Sequence, residues 1–223
     1  MAKTRKTKAD IHIDIVSDIV CPWCWLGYRY FQQAAKQTKH NIKLTWRPYM
    51  LDSDIVSQGV PYKDYMRAKF GDSPSNRFAQ MRKHLETAGP NVGIDFRFDD
   101  IPIRPNTLAA HRLMRWAEGQ GLGSAAAEAL FRAFFTEHKD VGKPAILAAI
   151  AGELGMDAPL TEKLLITAQD NASVQEEIAF YRELGVNAVP TFIYNGQYAV
   201  QGAQPPQAHI QAIEEATKNP AES

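Results

Sequence analysis

The chain contains only two cysteines, and they stand as Cys21-Pro22-Trp23-Cys24 at the point where the spacing of apolar residues changes. Upstream, Ile11, Ile13 and Ile15 alternate with His12 and Asp14, the period-two pattern of a strand over residues 10–17. Downstream, Tyr28, Phe31, Ala34 and Ala35 fall on one side and Arg29, Gln32, Gln33 and Lys36 on the other, which is helical spacing. Pro22 suits the first helical position, where its missing N–H loses nothing. Cys21 then becomes the N-cap, and Cys24 lies one turn into the same helix. Two cysteines this close cannot tie distant segments together, so stabilisation by structural disulfides is closed. The fold must rest on burial instead. With 45% hydrophobic residues, a chain of 223 residues can bury roughly 70% of the surface it exposes when unfolded.

Twenty-five basic side chains balance twenty-five acidic ones. That leaves no surplus to grip a phosphate backbone, so no nucleic-acid partner is expected. No apolar run reaches the ~20 residues of a membrane span. The basic start, Lys3, Arg5, Lys6 and Lys8, runs into a segment broken by His12, Asp14 and Asp18, where a signal peptide needs an uninterrupted apolar stretch. The expectation is a flexible tail over residues 1–9, no membrane partner, and a cytoplasmic location.

A second strand is predicted from Ile42 to about Tyr49. Residues 53–172 read as mostly helical. Asn106 caps a segment through Leu108, His111, Leu113 and Trp116; Ser124 opens 125–138; Pro144 opens 145–154; Thr161 starts a short helix to Thr167. Ser173 with Glu176 has the capping-box spacing, and Gly185 is placed to end the helix that follows. Residues 189–194 and 197–200 form a hairpin around Asn195-Gly196, a dipeptide that tolerates two positive φ angles. Pro205-Pro206 opens a terminal helix.

A cysteine attacks only as thiolate, and an N-cap sulfur meets unsatisfied backbone N–H groups and the positive end of the helix dipole. Cys21 is therefore the expected attacking thiol and Cys24 the thiol that resolves a mixed disulfide. Zinc would need two more ligands. There is no third cysteine, and no two of His12, His40, His84, His111, His138 and His209 lie three to five apart, so no metal site is expected. Pro190, at the head of a strand whose ladder it cannot join, is read as a cis-proline.

Three sets of residues carry a resemblance: Asp18 with Cys21-Pro22-Trp23-Cys24; Asn106-Thr107 with Ala110-His111-Arg112-Leu113; and Gly185 through Val189-Pro190-Thr191-Phe192 with Asn195-Gly196 and Gly202-Ala203-Gln204-Pro205. Over about residues 10–217 the chain resembles the FrnE-like branch of the DsbA family of thioredoxin-fold proteins. The resemblance implies an α/β, thioredoxin-like fold, a central mixed sheet flanked by helices, with a large all-helical insertion. Residues 10–52 and 173–219 would make the thioredoxin-like domain and 53–172 the insertion. It implies Cys21 as nucleophile, Cys24 as resolving thiol, Pro190 as a cis-proline facing them, and Val189 as a backbone contact for an extended substrate. Pro22, Trp23, Thr191 and His111 are further substrate-binding candidates.

The activity so implied is thiol–disulfide exchange on protein or small-molecule disulfides, by a monomer or homodimer. It needs no metal or nucleotide cofactor, and glutathione enters as reductant or co-substrate. The secreted oxidant of this superfamily has a histidine where this chain has Trp23, so a strongly oxidising potential is not implied. In a cytosol held reduced by glutathione, the expected direction is reduction or isomerisation. Glutathione-dependent 2-hydroxychromene-2-carboxylate isomerases and kappa-class transferases share the fold but use a single serine or cysteine; two intact cysteines argue against that chemistry. Two polar residues stay open. His111 is a hydrogen-bonded core residue or faces the site, and Asp18 caps the first helix or accepts a proton from Cys24 through water.

Overall fold

The computed structural model describes residues 10–73 and 76–218. The expected tail and residue 219 of the expected thioredoxin-like segment lie outside the described residues. In chain order the elements are β1 (Asp10–Ser17), α1 (Pro22–Ala35), β2 (Asn41–Pro48), β3 (Val60–Pro61), α2 (Tyr62–Phe70), α3 (Arg77–Ala88), β4 (Ile103–Arg104), α4 (Leu108–Gly119), α5 (Gly123–Phe135), α6 (Pro144–Glu153), α7 (Ala158–Leu165), α8 (Asn171–Glu183), β5 (Thr191–Tyr194), β6 (Tyr198–Gln201) and α9 (Pro206–Lys218). Four strands form a mixed sheet in the order β2-β1-β5-β6. β1 runs parallel to β2, and β5 is antiparallel to both β1 and β6. β3 and β4 make a separate antiparallel pair inside the otherwise helical stretch between β2 and β5.

The alternation read along β1 decides which face is buried. Ile11, Ile13 and Ile15 all point into the core, Ile15 beside Trp46 of β2 and Phe192 of β5. Helices α1 and α9 cover this face. Phe31 stacks on Phe192 at 5.5 Å, and His209 of α9 meets Phe192 edge-on at 4.6 Å. Trp46 meets Tyr28 of α1 and Phe131 of α5. On the opposite face Arg47 joins β1 to α8, donating from Nε to Asp14 at 2.7 Å and from a terminal nitrogen to Glu177 at 3.0 Å. No described helix is long and apolar enough to cross a membrane.

Several local expectations need correction. α7 begins at Ala158, ahead of Thr161, because the Asp157 carboxylate accepts the Leu160 N–H at 2.9 Å and caps the helix there. α8 has Asp170 at its N-cap position, without a side-chain bond to the helix N–H groups, and Ser173 lies inside the helix. Asp170 has a φ of 60°, and its carboxylate accepts from Trp116 Nε1 of α4 at 2.7 Å. A tertiary partner thus sets the start of α8 one turn before the local capping-box pattern. The hairpin turn is as read, with φ positive at both Asn195 (49°) and Gly196 (69°).

Candidate active site

Antiparallel pairing sets Val16 opposite Thr191, so the start of β5 lies at the same end of the sheet as the exit of β1. The loop after β1 carries Cys21, and the segment before β5 carries Val189-Pro190. The sheet register therefore brings together residues that are far apart in sequence. The Val189-Pro190 peptide bond is cis. Cys21 Sγ donates to the Val189 carbonyl at 3.6 Å, and Thr191 Oγ1 donates to the Ala188 carbonyl at 2.8 Å, fastening the same turn.

Cys21 is the N-cap of α1 in extended conformation, with Pro22 at the first helical position. Its backbone N–H donates to the Asp18 carbonyl at 3.0 Å, and its carbonyl receives the Cys24 N–H at 3.0 Å. Both thiols are free and the cysteines approach to 3.5 Å. They are not equivalent. Cys21 keeps 4% of its surface at a groove, while Cys24 keeps 0%. Burial pushes the Cys24 thiol well up, and the adjacent Cys21 adds to that; the Ser17 hydroxyl and the Asp18 backbone oppose it. Removing water from a sulfur disfavours its anion. Cys24 is therefore held as a neutral thiol while Cys21 sits at the helix mouth.

The groove at Cys21 is lined by Val20, Pro22, Trp23, Leu51, Tyr62, Tyr65, Met66, Lys69, Phe70, Met81 and Arg104. Two predicted residues, Pro22 and Trp23, fall here, and Trp23 lies against His84 of α3 with ring centroids 5.4 Å apart. The polar cluster in this wall was not foreseen. Asp52 accepts from Arg104 Nε at 3.1 Å, from Lys69 Nζ at 2.5 Å and from the Tyr65 hydroxyl. Arg104 also donates to the Val20 carbonyl at 2.8 Å, one residue before Cys21. Burial alone would raise the Asp52 carboxyl, but Arg104, Lys69 and Tyr65 together hold it below the usual carboxylate range. Residues of the 52–104 stretch have no sequence spacing that announces this cluster, because the fold assembles it from a loop, α2 and β4.

His111 does not reach that groove. It is buried on α4 and donates from Nε2 to the Tyr49 carbonyl at 2.9 Å. It lines a different cavity of about 190 Å³ with Ser17, Ile19, Trp46, Met114 and Glu118. Asp18 does not cap α1 with its side chain; its Oδ2 accepts the Leu51 N–H at 2.8 Å. Among the described residues no group of three or more histidine, cysteine or acidic side chains is placed to hold a metal ion.

Comparison with known proteins places this geometry. The DSBA-like thioredoxin domain family matches residues 12–214. The uncharacterized protein YwbO of Bacillus subtilis is 26% identical over 209 residues, 93% of this chain and 98% of that one. A crystal structure described as the probable DsbA oxidoreductase SCO1869 of Streptomyces coelicolor is 26% identical with a TM-score of 0.87, covering 96% of this chain and 92% of that one. The cytosolic disulfide reductase DsbM of Pseudomonas aeruginosa, solved with GSH, shares the fold at 16% identity and a TM-score of 0.63, covering 93% and 99%.

Proposed function

This chain belongs to the DSBA-like thioredoxin domain family, and from that membership we propose that it is a cytoplasmic thiol–disulfide oxidoreductase of the FrnE-like branch, acting through Cys21 and Cys24 on protein or small-molecule disulfides. One observation carries the reading: the chain's only two cysteines lie 3.5 Å apart at a helix N-terminus, the outer one bonded to the carbonyl that precedes a cis-proline. The Cys21 thiolate attacks one sulfur of the substrate; the substrate S–S bond breaks, and its other half leaves as a thiolate. Cys24 then loses its proton and attacks Cys21, forming the Cys21–Cys24 disulfide and releasing the second substrate thiolate. The substrate gains two electrons and the enzyme loses two. Two glutathione thiols restore the dithiol and leave as glutathione disulfide. Extended substrate backbone pairs with Val189, and the apolar groove wall receives the side chain beside the substrate cysteine.

Insulin reduction driven by dithiothreitol tests this directly. The native chain should accelerate it, Cys21→Ser should be inactive, and Cys24→Ser should accumulate a mixed disulfide. Equal rates for all three would reject the proposal. Iodoacetamide should label Cys21 near neutral pH well before Cys24.

A further inference from the structure

The cavity of about 190 Å³ that His111 lines shares no residue with the Cys21 groove. It is small beside the ~300–1,000 Å³ of pockets that hold drug-sized molecules. The charges in its wall do not cancel. Glu177 of α8 accepts from Arg47 at 3.0 Å and from Arg115 at 3.2 Å, and Arg47 also donates to Asp14 at 2.7 Å. Two cations there face two carboxylates. Glu118, in the same wall, is left over. Among the described residues its carboxylate receives the Trp46 N–H at 3.3 Å and makes no ion pair. Burial pushes its carboxyl up, against the Trp46 N–H and Arg47. The other end of the cavity is polar and uncharged by comparison. His111 stands seven residues before Glu118 on α4, two turns and about 10 Å away along one helix face. Its Nε2 is engaged by the Tyr49 carbonyl, which leaves Nδ1 without a partner among the described residues on a side chain 3% exposed. Ser17 Oγ, on a residue 2% exposed, also makes no hydrogen bond. Ile19, Trp46 and Met114 supply apolar wall.

We propose that this cavity is a binding site for a small organic cation, an elongated primary amine with an aromatic body and a hydroxyl at its far end. The ammonium donates to Glu118, the ring lies against the apolar wall, and the hydroxyl meets His111 Nδ1 and Ser17 Oγ. A hydroxyl both donates and accepts, so it suits an imidazole nitrogen and a serine at once. Taking a carboxylate out of water without a partner is costly, and an ammonium beside Glu118 offsets that cost. An anion would gain nothing comparable, because Arg47 and Arg115 already serve carboxylates and Glu118 would repel it. No bond is made or broken in this site, and its occupancy does not rest on the oxidoreductase reading.

Isothermal titration calorimetry of the reduced chain with three probes tests both ends of the site. Tyramine carries the ammonium and the hydroxyl, phenethylamine lacks the hydroxyl, and 3-(4-hydroxyphenyl)propionate exchanges the ammonium for a carboxylate. Tyramine should bind, phenethylamine about fivefold more weakly, and the propionate not at all. Glu118→Gln keeps the side-chain shape and an oxygen for the Trp46 N–H, so it should fold with native Tm while weakening tyramine about tenfold. Arg115→Gln removes a positive charge from the wall and should tighten tyramine about twofold. Trp23→Ala, which alters the Cys21 groove, should leave its affinity at the native value. No heat from tyramine at millimolar concentration, equal binding of the propionate, native affinity in folded Glu118→Gln, or weaker binding in Arg115→Gln would overturn the proposal. Loss of binding in Trp23→Ala would put the amine in the Cys21 groove and overturn it as well.

Discussion

Tyr194 and His209 share a hydrogen bond of 2.6 Å in the core between β5 and α9, and neither side chain has exposed surface. An imidazole there cannot be hydrated as a cation, so burial pushes His209 down to about 4 from an ordinary 6.5. The unfolded chain therefore binds this proton more readily than the folded one. Stability from this residue is whole above about pH 6.5 and is lost as pH falls toward 4. Fully expressed, such a shift corresponds to about 3 kcal/mol. Urea unfolding of the native chain and of His209→Gln at pH 7 and pH 4.5 reads it out. The native chain should lose about 2–3 kcal/mol more than the variant across that interval, because the other titrating groups are common to both. Equal losses would reject the assignment.

At the scale of elements, the approach of α1 to the cis-proline segment depends on Gly27. A Cβ at this position would sit 2.9 Å from Pro190 Cγ and 3.2 Å from the Ala203 Cα. Alanine gains about 1 kcal/mol of helix propensity, whereas overpacking costs about 1–3 kcal/mol. The backbone at Ala203 cannot swing aside as a long side chain can, so the loss prevails. Gly27→Ala should lower Tm by about 2–4 °C and slow disulfide reduction, since Pro190 is displaced from beside Cys21. A variant with native Tm and native rate would show that the close approach is dispensable.

The same elements show what the sequence makes legible. The switch from period two to helical spacing at Pro22 placed β1, α1 and both cysteines, because those signals are local. Asn195-Gly196 did so for the hairpin. Asp170 stands at the N-terminal boundary of α8 with its carboxylate turned to Trp116 of α4, and Asp52 gathers Arg104, Lys69 and Tyr65 from separate segments. Those features depend on which elements meet, and no local pattern records that. Gly27 reads as an ordinary helix glycine until Pro190, just ahead of β5, and Ala203 in the loop before α9 are packed against it.

For the whole molecule, the issue is whether the helical stretch between β2 and β5 unfolds apart from the sheet. One connected cluster of buried side chains runs from β1, α1 and β2 through Tyr62 of α2, Leu85 of α3, and α4, α5 and α6 to β5 and α9. Trp25 of α1 shows how the halves are joined. Its ring meets Phe96, Phe131 and Phe135 at 5.6, 6.0 and 6.1 Å, and its Nε1 donates to Glu128 of α5 at 3.1 Å. Separating the helices from the sheet would strip this indole and its aromatic partners together, which leaves no half with a complete core. Calorimetry of the reduced chain should therefore give one transition with equal calorimetric and van't Hoff enthalpies. Trp25→Ala should cost about 3–5 kcal/mol and should be the substitution that separates near-UV from far-UV unfolding curves. Two transitions in the native chain would show that the shared aromatic seam does not couple the halves.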